Sequence, residues 1–163
     1  MPEAGTLLKL DGRSVEVRIR PSLGPHLAAT FIRKRLILLD AEVLSRRGDF
    51  ERILVHELFH FAWVRLSNAA RRDWESILTR EFDRRARGEL GWSAERRKLR
   101  LTEAEVRGRA RAWRLYACES FCDTAAWRFA GLSTHEEFSL AEAFCRVRRE
   151  WFERHAASGP VRI

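Results

Sequence analysis

The segment VHELFH, residues 55–60, sets His56 and His60 four positions apart, with Glu57 directly after the first. On an α-helix, positions i and i+4 lie one turn apart and about 40° apart around the axis. Both imidazoles can then reach one metal ion, with Glu57 adjacent. The neighbours Ile53, Leu54, Val55, Leu58, Phe59, Phe61, Ala62 and Trp63 are apolar nearly all round, which predicts a buried helix. A buried polar group without a partner costs about 1–3 kcal/mol. The histidines therefore need either a metal, zinc above all, or unrelated hydrogen bonds in the core. His-Glu-x-x-His is the spacing of zinc peptidases, where the glutamate is general base toward water that the metal activates.

A catalytic zinc needs a third protein ligand. A later histidine in the H-E-x-x-H-x-x-G-x-x-H layout is excluded, because Trp63 and Leu66 stand at the required positions. His26 falls in a turn, His135 at a helix start and His155 near a helix end, all read as surface residues. The stretch YACESFCDTAAW, residues 116–127, offers more. Glu119 and Asp123 are the only two acids in the chain that stand four apart. Elsewhere acids in the presumed helices commonly have an arginine four residues on, as in Glu42–Arg46, Glu81–Arg85 and Glu103–Arg107, the pattern of surface helix pairs. Two readings follow. The acids form a spot on a partly exposed face, or Glu119 is the third ligand and Asp123 orients an imidazole through its other nitrogen.

The remaining pattern predicts an α+β chain, a small N-terminal sheet followed by helices. Residues 14–20, SVEVRIR, alternate as a half-buried strand, with Val15, Val17 and Ile19 on one side. Residues 29–40 read as two short strands around the turn Arg33-Lys34-Arg35, the second central in its sheet. Asp40 caps a short helix ending near Gly48, and Asp49 caps the histidine helix, which runs to about Leu66. A charged helix starts at Asn68 or Asp73 and ends at Gly88. Residues 88–100 read as a flexible loop. Thr102 to Glu105 is a capping box opening a helix to Ala130, with Gly131 at its end. Ser133 or Thr134 opens a last helix, which Gly159 and Pro160 close. The whole is read as one domain, 1–163: strand pair and histidine helix over 28–66, a basic helical insertion and loop over 67–101, the Glu119 helix over 102–131, and a C-terminal helix over 133–156.

The net charge is +8, and residues 65–115 hold 15 Arg/Lys against 8 Asp/Glu. That surplus reads either as a solvated helical face or as a surface for nucleic acid or an acidic partner. No apolar run reaches the roughly 18 residues of a membrane span, and the N-terminus lacks a signal-peptide pattern, so the expected location is cytoplasmic. The three cysteines, Cys118, Cys122 and Cys145, are too few for a disulfide scaffold and read as apolar packing. The six tryptophans read as core.

His56-Glu57-x-x-His60 with a later Glu119-x-x-x-Asp123 resembles the gluzincin pattern of zinc metallopeptidases. The order of strand pair, ILVHELFHF and ESFCDTAAWRFAG is most similar to the compact ImmA/IrrE-type family, over roughly residues 28–66 and 112–131. The resemblance implies a zincin-like fold and hydrolysis of a peptide or protein substrate. It implies His56, His60 and Glu119 as zinc ligands, Glu57 as base and Asp123 behind a ligand. An extended substrate could pair with a strand within residues 29–38. Tyr116, one turn before Glu119, is either an oxyanion donor facing the metal or a half-buried core tyrosine.

Overall fold

The computed structural model describes residues 8–10, 12–46 and 48–163; the N-terminal reading over residues 1–7 lies outside them. Three strands, β2 (Glu16–Arg20), β3 (Ala28–Phe31) and β4 (Leu36–Asp40), form a sheet in the order β2-β4-β3. β4 is central, parallel to β2 and antiparallel to β3. It carries the most apolar run of the three, as a strand covered on both edges should. The basic turn between β3 and β4 is a single 3-10 turn closed by Arg35 in the left-handed region, φ 54°. The short strands β1 (Leu8–Lys9) and β5 (Val161–Arg162) pair in parallel and join the chain ends, a pairing that nothing in the sequence pattern announced.

Among the described residues, six α-helices follow: α1 (Asp49–Arg65), α2 (Asn68–Asp83), α3 (Trp92–Lys98), α4 (Glu103–Arg107), α5 (Arg111–Phe129) and α6 (Glu142–Ala157). The α+β order expected from the sequence is the observed one, a small mixed sheet against the histidine helix and then a helical part. Ile37 and Leu39 of β4 are fully buried beneath α1, which packs along α5. An aromatic cluster joins the helices. Phe121 of α5 lies 5.8 Å from Phe59 and from Trp74, and 5.2 Å from Phe152, ring centre to ring centre. Such contacts contribute about 0.5–1.5 kcal/mol each beyond the area they bury.

Several local expectations change. Val17 and Ile19 do share a face with the buried Ile37 and Leu39, but they stay 41% and 49% exposed, because β2 is an edge strand. Asp40 caps a 3-10 turn, Ala41–Ser45, by accepting the Glu42 N–H at 2.9 Å. α1 starts after Gly48, φ 84°, and Asp49 is its first helical residue rather than its cap. α2 is capped by Ser67 and stops at Asp83. The capping box at Thr102 and Glu105 forms, yet its helix ends after five residues; Arg109 turns left-handed at φ 47° and α5 begins afresh. Ser133 and Thr134 open no helix, and α6 starts only at Glu142. Glu81 passes over Arg85 for Arg148, which is fully buried.

The supposed loop 88–100 is helical at its centre. Leu90 and Ala94 are buried, and α3 packs on α5. Burial overrides the weak local signal there. Among the described residues, no helix is long and apolar enough to cross a membrane.

Candidate metal centre

Packing of α1 on α5 brings the two motifs together. His56 Nδ1 lies 2.6 Å from Asp123 Oδ1, and His56 Nε2 lies 3.2 Å from Glu119 Oε2. A carboxylate can only accept, so the Nδ1 proton sits on the Asp123 side, and a metal ion at Nε2 would take the place of the proton that faces Glu119. Two ligand atoms on metal bonds of about 2.0–2.1 Å at a tetrahedral angle stand about 3.3–3.4 Å apart. The His56–Glu119 separation matches that spacing.

His60, one turn on, has its Nδ1 3.5 Å from both Cys118 Sγ and Cys122 Sγ. The rings of His56 and His60 are 5.0 Å apart, centre to centre. His56, His60 and Cys122 each place one ligand atom within 4.8 Å of the others and could hold a divalent metal ion. The thiols read as apolar packing are therefore part of the cluster's surroundings. Cys145 does pack apart, in a small cluster with Leu90 and Leu140.

The electrostatics follow from burial and pairing. Burial opposes a charge on His56, but Asp123 and then Glu119 outweigh it, and the imidazole pKa is raised well above its ordinary value. Burial pushes Glu119 up, yet the His56 hydrogen bond and the charges of His56, His60 and Arg97 hold it at about 2. Burial likewise opposes charge on His60, outweighed by its contact with Cys118, so its pKa is raised. The Cys118 thiol is drawn down to about 6, first by a hydrogen bond from Cys122, with burial opposing and His60 assisting.

Glu57 is buried on the next helical position after His56, and Thr30 of β3 donates its hydroxyl to Glu57 Oε2 at 2.5 Å. A cavity of about 350 Å³ opens onto His56, Glu57 and Asp123, bordered by His26, Ala28, Arg52 and Trp92. Arg52 is held by both oxygens of Glu137, at 3.0 Å each. A larger cavity, about 710 Å³, lies away from these groups, against Arg85, Lys98, Leu99 and Arg107. The smaller one is the candidate site, because His56, Glu57 and Asp123 line it and none of these groups lines the larger.

The structure corrects the reading of Tyr116 as an oxyanion donor. Its hydroxyl donates to Glu89 Oε1 at 2.5 Å, deep in a network in which Arg148 binds both Glu89 and Glu81. Three positions from Glu119 on a helix is a turn short of full, which lets the two side chains diverge to different neighbours. Trp92 is 57% exposed rather than core, with Arg96 stacked on it at 4.5 Å. His26 is exposed as expected, yet stands at the rim of the site cavity. His135 pairs with Asp49 at 3.1 Å and His155 stacks on Trp151, both away from the cluster. Thr30, Arg52, Trp92 and Arg97 were not singled out beforehand. Only Thr30 carried a signal, a lone hydroxyl in a strand preceding the histidine helix.

The fold and the cluster together define a metalloenzyme-like architecture: a small sheet, a His-Glu-x-x-His helix beneath it, and a crossing helix that supplies further ligand atoms. No protein-family model matches the chain, and neither a curated protein nor a solved structure does.

Proposed function

We propose that the chain is a zinc peptidase of gluzincin type, in which His56, His60 and Glu119 hold the ion, Asp123 orients His56 and Glu57 is the general base. The observation that carries this reading is Glu57 itself. A purely structural ion site needs no base, yet Glu57 is buried beside His56 on the helix, lines the same cavity as His56, and is tethered to the neighbouring strand through Thr30. Glu119 is preferred over Cys122 as third ligand because Asp123 at His56 Nδ1 and the thiols at His60 Nδ1 leave the two Nε2 atoms as donors. Glu119 already stands beside one of them. Two imidazoles and a carboxylate are donors suited to zinc.

When bound, zinc supplies Lewis-acid polarisation of a carbonyl and acidifies water toward neutral pH. The chain supplies the rest. Glu57 Oε2 exchanges its Thr30 hydrogen bond for the proton of the attacking water, then passes that proton to the leaving amine. Among the described residues β3 pairs only with β4, so its outer edge can take an extended peptide as an added strand. Ala28 of that strand and Glu57 line one cavity, which puts such a peptide beside the base. Glu57→Gln is the test. It should keep full zinc content and lose about 10²–10⁴-fold in peptide hydrolysis; undiminished hydrolysis would sink the reading.

A second reading is a zinc-stabilised regulatory protein that binds nucleic acid or an acidic partner and hydrolyses little. The exposed Trp92 with Arg96 stacked on it favours this reading, since an indole face and a guanidinium suit base stacking and phosphate contact. Salt-sensitive DNA retention that is indifferent to Glu57→Gln would support it.

A further inference from the structure

α5 carries Cys118 and Cys122 one turn apart on one face. Both sulfurs approach the same atom, His60 Nδ1, at 3.5 Å. A ring nitrogen offers a single in-plane direction, so Nδ1 pairs with one thiol at a time and the other turns to its neighbouring sulfur. One ion among the three would bind all of them at once. Nitrogen and sulfur ligands on bonds of about 2.0–2.1 and 2.3 Å at a tetrahedral angle stand about 3.5–3.6 Å apart.

The thiols also have their own approach. A cavity of about 250 Å³ is lined by Thr30, Ile32, His60, Trp63, Val64 and Cys118. It shares no lining residue with the cavity that opens onto His56 and Glu57. Cys118 is half-buried at its wall and Cys122 fully buried behind. The donors thus divide by hardness: a carboxylate beside His56 Nε2, two sulfurs beside His60 Nδ1.

We infer that Cys118, Cys122 and His60 Nδ1 form a second metal site, for a soft, thiophilic ion such as Cu⁺, antagonistic to the ion site at His56 and Glu119. Thiolate pairs select such ions over the harder ones that carboxylates take. On binding, the two thiol protons leave to solvent and the sulfur lone pairs enter the metal bonds. A neutral imidazole has one lone pair. When Nδ1 spends it on the soft ion, Nε2 keeps the ring proton and His60 is withdrawn from the first site. Occupancy of the thiol site therefore weakens zinc at the other.

The thiol site itself does not depend on the peptidase reading; the antagonism depends only on its zinc ligands. The test is an anaerobic Cu⁺ titration of the full-length protein after incubation with zinc, followed by thiolate-to-copper absorption and by zinc affinity. The parent should develop the band with one equivalent and lose zinc affinity by about tenfold or more. Cys118→Ala/Cys122→Ala should show neither change, while Cys145→Ala, a control for general thiol loss, should behave as the parent. Glu119→Ala should lose zinc and keep the copper band, which separates failure of the zinc assignment from failure of this one. The inference is overturned by absence of the band in the parent, by its persistence in the double variant, or by a full band with zinc affinity unchanged. A thiolate-to-cobalt band in Co²⁺-loaded parent would also overturn it, by placing the sulfurs in the first site.

Discussion

The Asp123 carboxylate binds His56 Nδ1 at 2.6 Å through one oxygen and the backbone N–H of Ala94 at 2.9 Å through the other. One side chain therefore orients a candidate metal-ligating histidine and docks the start of α3. The metal centre and the segment before α4 are coupled through it.

Asp123→Asn should leave the fold in place and weaken zinc binding by about 10–100-fold. An asparagine that turns its amide toward Nδ1 moves the ring proton to Nε2, the atom the ion needs. Competition against a calibrated chelator measures the change. Equal affinity in parent and variant would remove Asp123 from the site.

Gly91→Ala tests the same coupling from the other side. The backbone there is extended, φ −177°, and any residue can adopt it. A Cβ, however, would fall 2.1 Å from Asp123 Cγ. The loop or the carboxylate must move, at about 1–3 kcal/mol for an overpacked contact. Thermal unfolding should show the loss, and zinc affinity should fall with it. A variant as stable as the parent would mean that this contact is not close in solution.

Tyr116→Phe separates a core role from a catalytic one. Removing a hydroxyl that donates to a buried carboxylate should cost about 1.5–3 kcal/mol in urea unfolding. Zinc content and turnover of the folded variant should match the parent. A fall in kcat at unchanged stability would restore the oxyanion role that the geometry denies.

Acid should loosen the helical part through Glu89. Burial raises its pKa, but Arg148, then Lys98 and Tyr116, outweigh burial and hold it at about 2, against an ordinary 4.5. The folded value lies below the unfolded one, so the stabilisation is complete above about 4.5 and is lost as pH falls toward 2. It is of the order of 3 kcal/mol. Urea unfolding stepped down through that window should show the decline. Arg148→Met should already cost about 3–5 kcal/mol at neutral pH, because Glu81 and Glu89 would keep buried charges without their partner.

What could be read in advance was local. Alternation and an apolar run located β2, β3 and β4, and the apolar surround of VHELFH located α1. Four-residue spacing put His56 with His60 and Glu119 with Asp123. Two acids without the usual arginine marked α5 as unlike the surface helices. What was misread depended on distant partners. Residues 88–100 have loop composition, yet Ala94 becomes helical and buried where α3 packs on α5, with Leu90 buried just ahead of it. The long helix expected from Thr102 breaks at Arg109, whose guanidinium reaches Glu75 of α2 at 2.6 Å.

The sequence by itself determined the identities and helical spacing of the candidate metal-ligating side chains, because a helix repeats every 3.6 residues wherever it lies. Only the tertiary structure decided what each of them faces. The crossing of α1 and α5 put Asp123 behind His56, Glu119 beside it and two thiols against His60, while the same helix turned Tyr116 away to Glu89. Spacing along a helix is a property of the backbone; direction toward a partner belongs to the packing of two helices, and His56 and Asp123 lie 67 positions apart.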